Sequence, residues 1–270
     1  MKTKRILSIT IVVILSVAIS HSQFFRSTAK TGTTAAQFLK IGVGARALGM
    51  GNAQVGLAND LSAIYWNPAG LSRLQVNGEV MFNHANWLAD VQYDFAAGLL
   101  PMGDLGTFGF SVISMRVPED VVRTVDFPEG DGRRWDASSI AFGVSYAKNL
   151  TDRFSLGFNF KYVREALWDE SASAFAFDVG TLYLSEVPGL TIGASISNFG
   201  SKMRLDGRDL YFNSDPDNNI GTGPNNIPSQ YQVGEYDLPL SFRIGLAYNA
   251  LNMGDLRVTL ASDAVHPNDN

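Results

Sequence analysis

Arg153-Phe154-Ser155-Leu156-Gly157-Phe158-Asn159-Phe160-Lys161-Tyr162-Val163 alternates without a break. In an extended chain, successive side chains point to opposite faces. Phe154, Leu156, Phe158, Phe160 and Tyr162 then share one face, while Ser155, Gly157, Asn159 and Lys161 share the other. The first face is large and apolar; the second is small and polar. A soluble sandwich or barrel buries its bulky side and turns charged or hydroxyl side chains to water. A small, polar face carrying few charges suits the wall of a lumen, with the aromatic face against lipid.

The same period of two recurs on both sides of this stretch. Ile140, Phe142, Val144 and Tyr146 alternate with Ser139, Ala141, Gly143, Ser145 and Ala147. Leu190, Ile192, Ala194 and Ile196 alternate with Thr191, Gly193, Ser195 and Ser197, and Phe242, Ile244, Leu246 and Tyr248 with Ser241, Arg243, Gly245 and Ala247. Nine strands are expected, at about 78–86, 90–100, 105–116, 138–148, 153–164, 174–185, 189–199, 240–249 and 255–264. Asp94, Lys161, Asp178, Arg243 and Arg257 are the charges expected to face the lumen. The expected connections alternate short (101–104, 149–152, 186–188, 250–254) with long (117–137, 165–173, 200–239). That asymmetry is the one outer-membrane barrels show between periplasmic turns and external loops. The expected fold is therefore all-β, a transmembrane antiparallel β-barrel; a secreted β-sandwich is the alternative. Closure is required in lipid, where an open edge leaves backbone groups unpaired. Nine strands is an odd number, and Asp263 to Asn270 reads as the start of a loop. The expectation is a chain lacking its C-terminal strands, with a complete small barrel as the alternative.

Composition narrows the function classes. The 270 residues include no cysteine, 26 glycines and a net charge of −5, with mean hydropathy +0.02. Without cysteine there is no disulfide framework, thiolate metal site or cysteine nucleophile. Without a basic patch, nucleic acid is not an expected partner. Lys2, Lys4 and Arg5, then Ile6 to Ile19, then Ser20-His21-Ser22 read as an export signal over residues 1–22. After Ile19 no apolar run is long enough to cross a bilayer as a helix. The remaining chain divides into a plug-like segment at 23–76 and a barrel at 77–270.

Residues 31–74 do not alternate. Gly44-Ala45-Arg46-Ala47-Leu48-Gly49-Met50-Gly51-Asn52-Ala53, then Ala58-Asn59-Asp60, then Trp66-Asn67-Pro68-Ala69-Gly70-Leu71 resembles the N-terminal hatch of the PorV/PorQ family, within the wider FadL-like outer-membrane proteins. Ser262-Asp263-Ala264-Val265-His266-Pro267 is similar to the same family. The resemblance implies a barrel of about fourteen strands with a hatch in its lumen, about nine of them in this sequence. It also implies a non-enzymatic role in type IX secretion: receiving cargo proteins with a C-terminal signal domain from the translocon and shuttling them to the cell surface. The FadL-like branch implies instead a transporter of long-chain fatty acids or another hydrophobic ligand. A lipid-modifying barrel enzyme, the third class, would need a Ser/His/Asp cluster at the membrane rim.

The candidate functional residues sit in the hatch motif: Arg46, Gly49, Gly51, Asp60, Asn67, Pro68, Ala69 and Gly70. Small residues there allow tight packing in a confined space. Arg46, Asp60 and Asn67 either pin the hatch to lumen charges such as Asp94, Asp178 or Arg243, or are ordinary solvated polarity. Pro68 suits a kink from hatch into the first strand. Trp87 and Trp168 are read as interfacial girdle residues or as packing under a loop. Gly42-Val43-Gly44-Ala45-Arg46-Ala47 resembles a dinucleotide fingerprint but lacks a surrounding βαβ unit, so no cofactor is expected. Asp215-Pro216-Asp217-Asn218-Asn219 lacks the glycine and the glutamate of a calcium loop. His84 and His266 are too far apart in sequence to suggest a metal site or a triad. The expected partners are outer-membrane lipid, the translocon and its cargo.

Overall fold

The computed structural model describes residues 30, 32–215, 226–254 and 256–269. The expected export signal lies outside the described residues, as do residues 216–219 of the stretch weighed and set aside as a calcium loop.

All nine alternating segments form strands: β1 (Glu79–Asn86), β2 (Gln92–Pro101), β3 (Thr107–Val121), β4 (Arg134–Asn149), β5 (Phe154–Leu167), β6 (Glu170–Leu184), β7 (Leu190–Gly200), β11 (Ser241–Met253) and β12 (Leu256–Pro267). They pair in the order β1-β2-β3-β4-β5-β6-β7-β11-β12, every pair antiparallel. The β7–β11 connection carries short β8 (Asp206–Gly207), which pairs with β6, and a hairpin of β9 (Tyr211–Ser214) and β10 (Ile227–Gln230). Within the described residues, β1 and β12 form the two edges of the sheet and do not pair with each other. No helix among those residues is long and apolar enough to cross a membrane.

Side-chain direction decides the polarity of the wall. Along β5, Ser155, Gly157, Asn159, Lys161 and Val163 are buried, while Phe158 and Phe160 are exposed. The exposed face continues across the sheet through Phe110, Phe142, Val144, Phe175, Phe177, Ile192, Ile196, Phe242, Ile244 and Leu246. This contiguous apolar surface is far too wide to be stable in water, and it fits a hydrocarbon solvent. The aromatic rings form a ladder on it, with Phe160 centroids 5.5 Å from Phe175 and 4.9 Å from Phe177.

The opposite face is covered by residues 34–74, here called the inner segment. It is built from short turns: 3-10 turns Gln37–Lys40 and Pro68–Arg73 and helices Ala45–Gly49 and Ala63–Trp66. Phe38, Leu39, Leu61, Ile64 and Leu71 pack with Tyr93, Phe95, Leu99, Ile113, Val163 and Leu182 of the wall. Each such side chain contributes about 1.5–3 kcal/mol on burial. The core therefore lies between the inner segment and the wall.

One rim of the wall carries the connections 102–106, 150–153, 185–189 and 254–255, all short. The other rim carries 87–91, 122–133, 168–169 and, of the connection between β7 and β11, the described residues 201–215 and 226–240. The expected long connection at 165–173 is thus a two-residue turn, Trp168-Asp169, with Trp168 at φ 52°. Strands β3 and β4 likewise run further than expected, to Val121 and from Arg134.

Candidate functional site

The inner segment is fixed to the wall where Asn67 meets β6. Its side chain is fully buried. Nδ2 donates to Val55 O (2.9 Å) within the inner segment and to Thr181 O (2.9 Å) on β6. Oδ1 accepts from Ala69 N (3.2 Å), capping the 3-10 turn that Pro68 begins. Proline suits that first position because its missing N–H has no partner there anyway. Pro68 therefore starts a turn inside the segment and is not the kink into β1. The wall answers with glycine: a Cβ at Gly157 would collide with Pro68 and Ala69 backbone, and one at Gly180 with the Asn67 side chain. Gly70 approaches Ala58 in the same way. Ala69 is fully buried.

Trp66 and Asp263 extend this seam. Trp66 Nε1 donates to Val43 O (2.9 Å), and the Arg243 guanidinium stands 5.0 Å from the Trp66 ring. Asp263 on β12 accepts from Gln54 N (3.0 Å) and Val55 N (2.9 Å). A carboxylate taking two backbone donors is a strong, directional clamp. At the long-connection rim, Asp269 accepts from Lys40 Nζ (2.9 Å), Gln37 Nε2 (3.0 Å) and Thr34 Oγ1 (2.8 Å). Burial alone would raise the Asp269 pKa, but these donors outweigh it and hold the carboxyl below its ordinary value. At the other rim, Arg73 donates to Asp152 O (2.7 Å) and Ser155 Oγ (2.6 Å). The inner segment therefore crosses the wall from rim to rim and is tied at both.

Behind it the wall holds a closed polar network. Lys161 Nζ lies 2.8 Å from Asp178 Oδ1, and both side chains are buried. Asp178 also accepts from Asn159 Nδ2 (2.9 Å) and Asn198 N (2.7 Å). Ser145 Oγ donates to Asn159 Oδ1 (3.0 Å), and Asn198 Nδ2 to Pro239 O (3.0 Å). Pairing is irregular here: Phe177 pairs with Phe199 and Val179 with Ile196, so Asp178 faces both Ser197 and Asn198. Asn198 takes up the extra residue at φ 63°, a conformation asparagine tolerates better than most residues.

Three expectations are corrected by this geometry. Asp94 does not face the lumen. Its neighbours Tyr93 and Phe95 are the buried, inward residues of β2, so Asp94 points outward and pairs with His84 (2.7 Å) and Arg116 (3.0 Å). Second, Arg46 and Asp60 do not reach wall charges. They pair with each other at 2.9 Å, and Asp60 also accepts from Ser62 N and Gln54 Nε2. Third, Gly49 is not in tight packing, since a Cβ there would meet nothing within 4 Å; Gly51 is needed for its φ of 66°. Lys161, Asp178 and Arg243 do face inward, and Arg257 shares the face of Asp263, donating to Asn249 Oδ1 (3.3 Å).

Sequence spacing gave no sign of the His84–Asp94–Arg116 cluster, which antiparallel register assembles from three strands. Ser114 stands beside Asp94 in β3, opposite to the His84 side. The carboxylate thus separates serine from histidine, an order unlike that of a Ser-His-Asp relay. Asp263 also went unnoticed as a clamp, although alternation with Ala264 and Ser262 places it inward. Trp87 and Trp168 are partly exposed at the long-connection rim, and Arg133 stands 5.6 Å from the Trp168 ring. The glycines near residue 44 lead into a five-residue helix with no βαβ unit around it. Among the described residues, no group of three or more His, Asp or Glu is placed to hold a metal ion.

An antiparallel wall with an apolar outside, a polar inside and an inner segment tied across it defines a plugged β-barrel protein of the outer-membrane kind. The chain belongs to the PorV family: residues 25–233 match the family described as type IX secretion system protein PorV. Among solved structures, the chain is similar to the crystal structure of a Pseudomonas aeruginosa FadL homologue at 14% identity, covering 80% of this chain and 67% of that one, with a TM-score of 0.47. Nothing among the curated proteins matches the chain.

Proposed function

We propose that this chain is a non-enzymatic acceptor in type IX secretion, taking cargo proteins with a C-terminal signal domain and passing them along the cell surface. Membership of the PorV family supports the association with type IX secretion. The observation that carries the finer reading is the β9–β10 hairpin at the long-connection rim. Tyr211, Phe212, Ile227 and Tyr231 are exposed there, with the Phe212 and Tyr231 rings 4.6 Å apart. Exposed aromatic side chains on a short hairpin supply contact area at low entropy cost and are enriched where proteins bind proteins. In this reading the inner segment acts as a hatch that keeps the lumen shut while cargo is handled at the rim.

The test is recovery of the protein from native outer membranes, followed by mass spectrometry of what co-purifies. Proteins sharing a C-terminal signal domain, or a large translocon barrel, are the expected companions. Their loss from a Tyr211→Ser/Phe212→Ser/Tyr231→Ser variant would locate the contact at the hairpin. No protein companion, with fatty acid extracted from the purified barrel, would overturn the reading in favour of a transporter of hydrophobic molecules.

A further inference from the structure

A cavity of about 500 Å³ opens on the outside of the wall at the long-connection rim, lined among others by Arg164, Lys202, Arg204, Ser171 and Ser173. Strand parity places it. Arg164 pairs with Ser173, two residues above the Tyr162–Phe175 pair of the outward aromatic ladder. Met203 is buried in the core, so its neighbours Lys202 and Arg204 project the opposite way. The three cations meet two carboxylates in the lining, Asp206 and Glu235. Asp206 already accepts from Gly207 N and Gln230 Nε2. Lys202 stands 3.9 Å from Asp237, while Arg164 and Arg204 form no ion pair among the described residues.

Two guanidinium groups with no ion pair among the described residues, a lysine and two hydroxyls therefore line one cavity above the exposed ring of Phe175. Guanidinium forks match phosphate oxygens in geometry as well as charge. Basic pockets at the edge of a membrane-spanning wall are suited to lipid head groups. We propose that this cavity binds the phosphate of a lipid head group, in the leaflet at the long-connection rim, with the acyl chains running down Tyr162, Phe175, Phe160 and Phe177. The ladder directly below the cations selects a lipid over a free anion, because inorganic phosphate would make no use of it. The site is independent of how cargo is handled and requires only that the aromatic face meets lipid.

The experiment is native mass spectrometry of the whole purified chain, released from detergent, with three probes. These are phosphatidylglycerol, a diacylglycerol with the same acyl chains, and inorganic phosphate. Bound phosphatidylglycerol, displaced by neither of the other two, is the expected result. Arg164→Ala/Arg204→Ala should lower its occupancy at least about tenfold, and Arg164→Lys/Arg204→Lys should retain part of it. Phe160→Ala/Phe175→Ala should weaken phosphatidylglycerol further. An unchanged far-UV spectrum shows that each variant keeps its sheet. Equal binding of diacylglycerol, displacement by inorganic phosphate, or an Arg164→Ala/Arg204→Ala variant that binds like the parent would each overturn the proposal.

Discussion

Asn67 and Asp269 show how single side chains hold the inner segment. Truncating Asn67 to alanine leaves Val55 O and Thr181 O buried without their donor. Such a loss costs about 1–3 kcal/mol. Asn67→Ala should therefore speed hydrogen exchange over residues 54–74 while leaving the strands protected, which exchange mass spectrometry reads directly. Asp269 makes the seam acid-sensitive at its other end. Its carboxyl is held below the ordinary value in the folded chain, so the folded state binds its proton less readily than the unfolded one. The resulting stabilisation is complete above the unfolded value, about pH 4. It is lost as pH falls through the lower, folded value. Proteolysis near residues 34–40 should rise on acidification below about pH 4, and Asp269→Asn should abolish that pH dependence. Asp94 marks where residue-type reasoning fails. A charge in a strand suggests the lumen, but Tyr93 packs inward and its hydroxyl donates to Ile41 O (3.0 Å). The bulky residues of β2 are held inside by the segment they pack against, and alternation sends the charge outward.

At the scale of elements, period-two patterning located the nine long strands of the main sheet but not the two-residue β8, because lipid and lumen impose opposite demands on alternate residues only along the wall. It failed at strand ends. Glu165 and Glu170 look like loop residues, yet they extend β5 and β6 to a turn at Trp168-Asp169. Both lie on the inward side by alternation, where Glu165 accepts from Ala36 N (3.1 Å), and on the outward side Arg164 and Ser173 are polar where Tyr162 and Phe175 are aromatic, while the hydrogen-bond ladder continues. Depth should therefore govern substitution costs. Phe158→Lys, in the middle of the outward aromatic face, is expected to destabilise folding into lipid vesicles by about 2–4 kcal/mol, and Ser173→Lys at the rim by about 0–1 kcal/mol. Denaturant titration of the two variants compares them. The irregular pairing at Asp178 was invisible in the sequence, since nothing local announces which strands will share its carboxylate. Removing that charge in Asp178→Asn leaves Lys161 buried without a counter-ion, at a cost of about 3–5 kcal/mol. The midpoint of unfolding in detergent should fall accordingly.

For the molecule as a whole, the account rests on one inversion: aromatic residues outside, polar and small residues inside, and an inner segment filling the polar side. The glycine-rich leader and its Asn67-Pro68-Ala69-Gly70 motif signalled a plug by composition, and the wall glycines that receive it lie opposite in register. Which backbone groups tie the two together was beyond sequence, because Thr181, Asp263 and Asp269 lie far along the chain from the residues they hold. The inversion can be measured directly because the chain contains no cysteine. Single cysteines at Phe142, Phe158, Phe177 and Arg257 can each carry a nitroxide in protein reconstituted into bilayers. The account predicts that the three phenylalanine sites collide with dissolved oxygen and are shielded from a water-soluble nickel chelate, while position 257 behaves the opposite way. Nickel accessibility at Phe142, Phe158 and Phe177 would contradict it, because the aromatic face would then meet water rather than lipid.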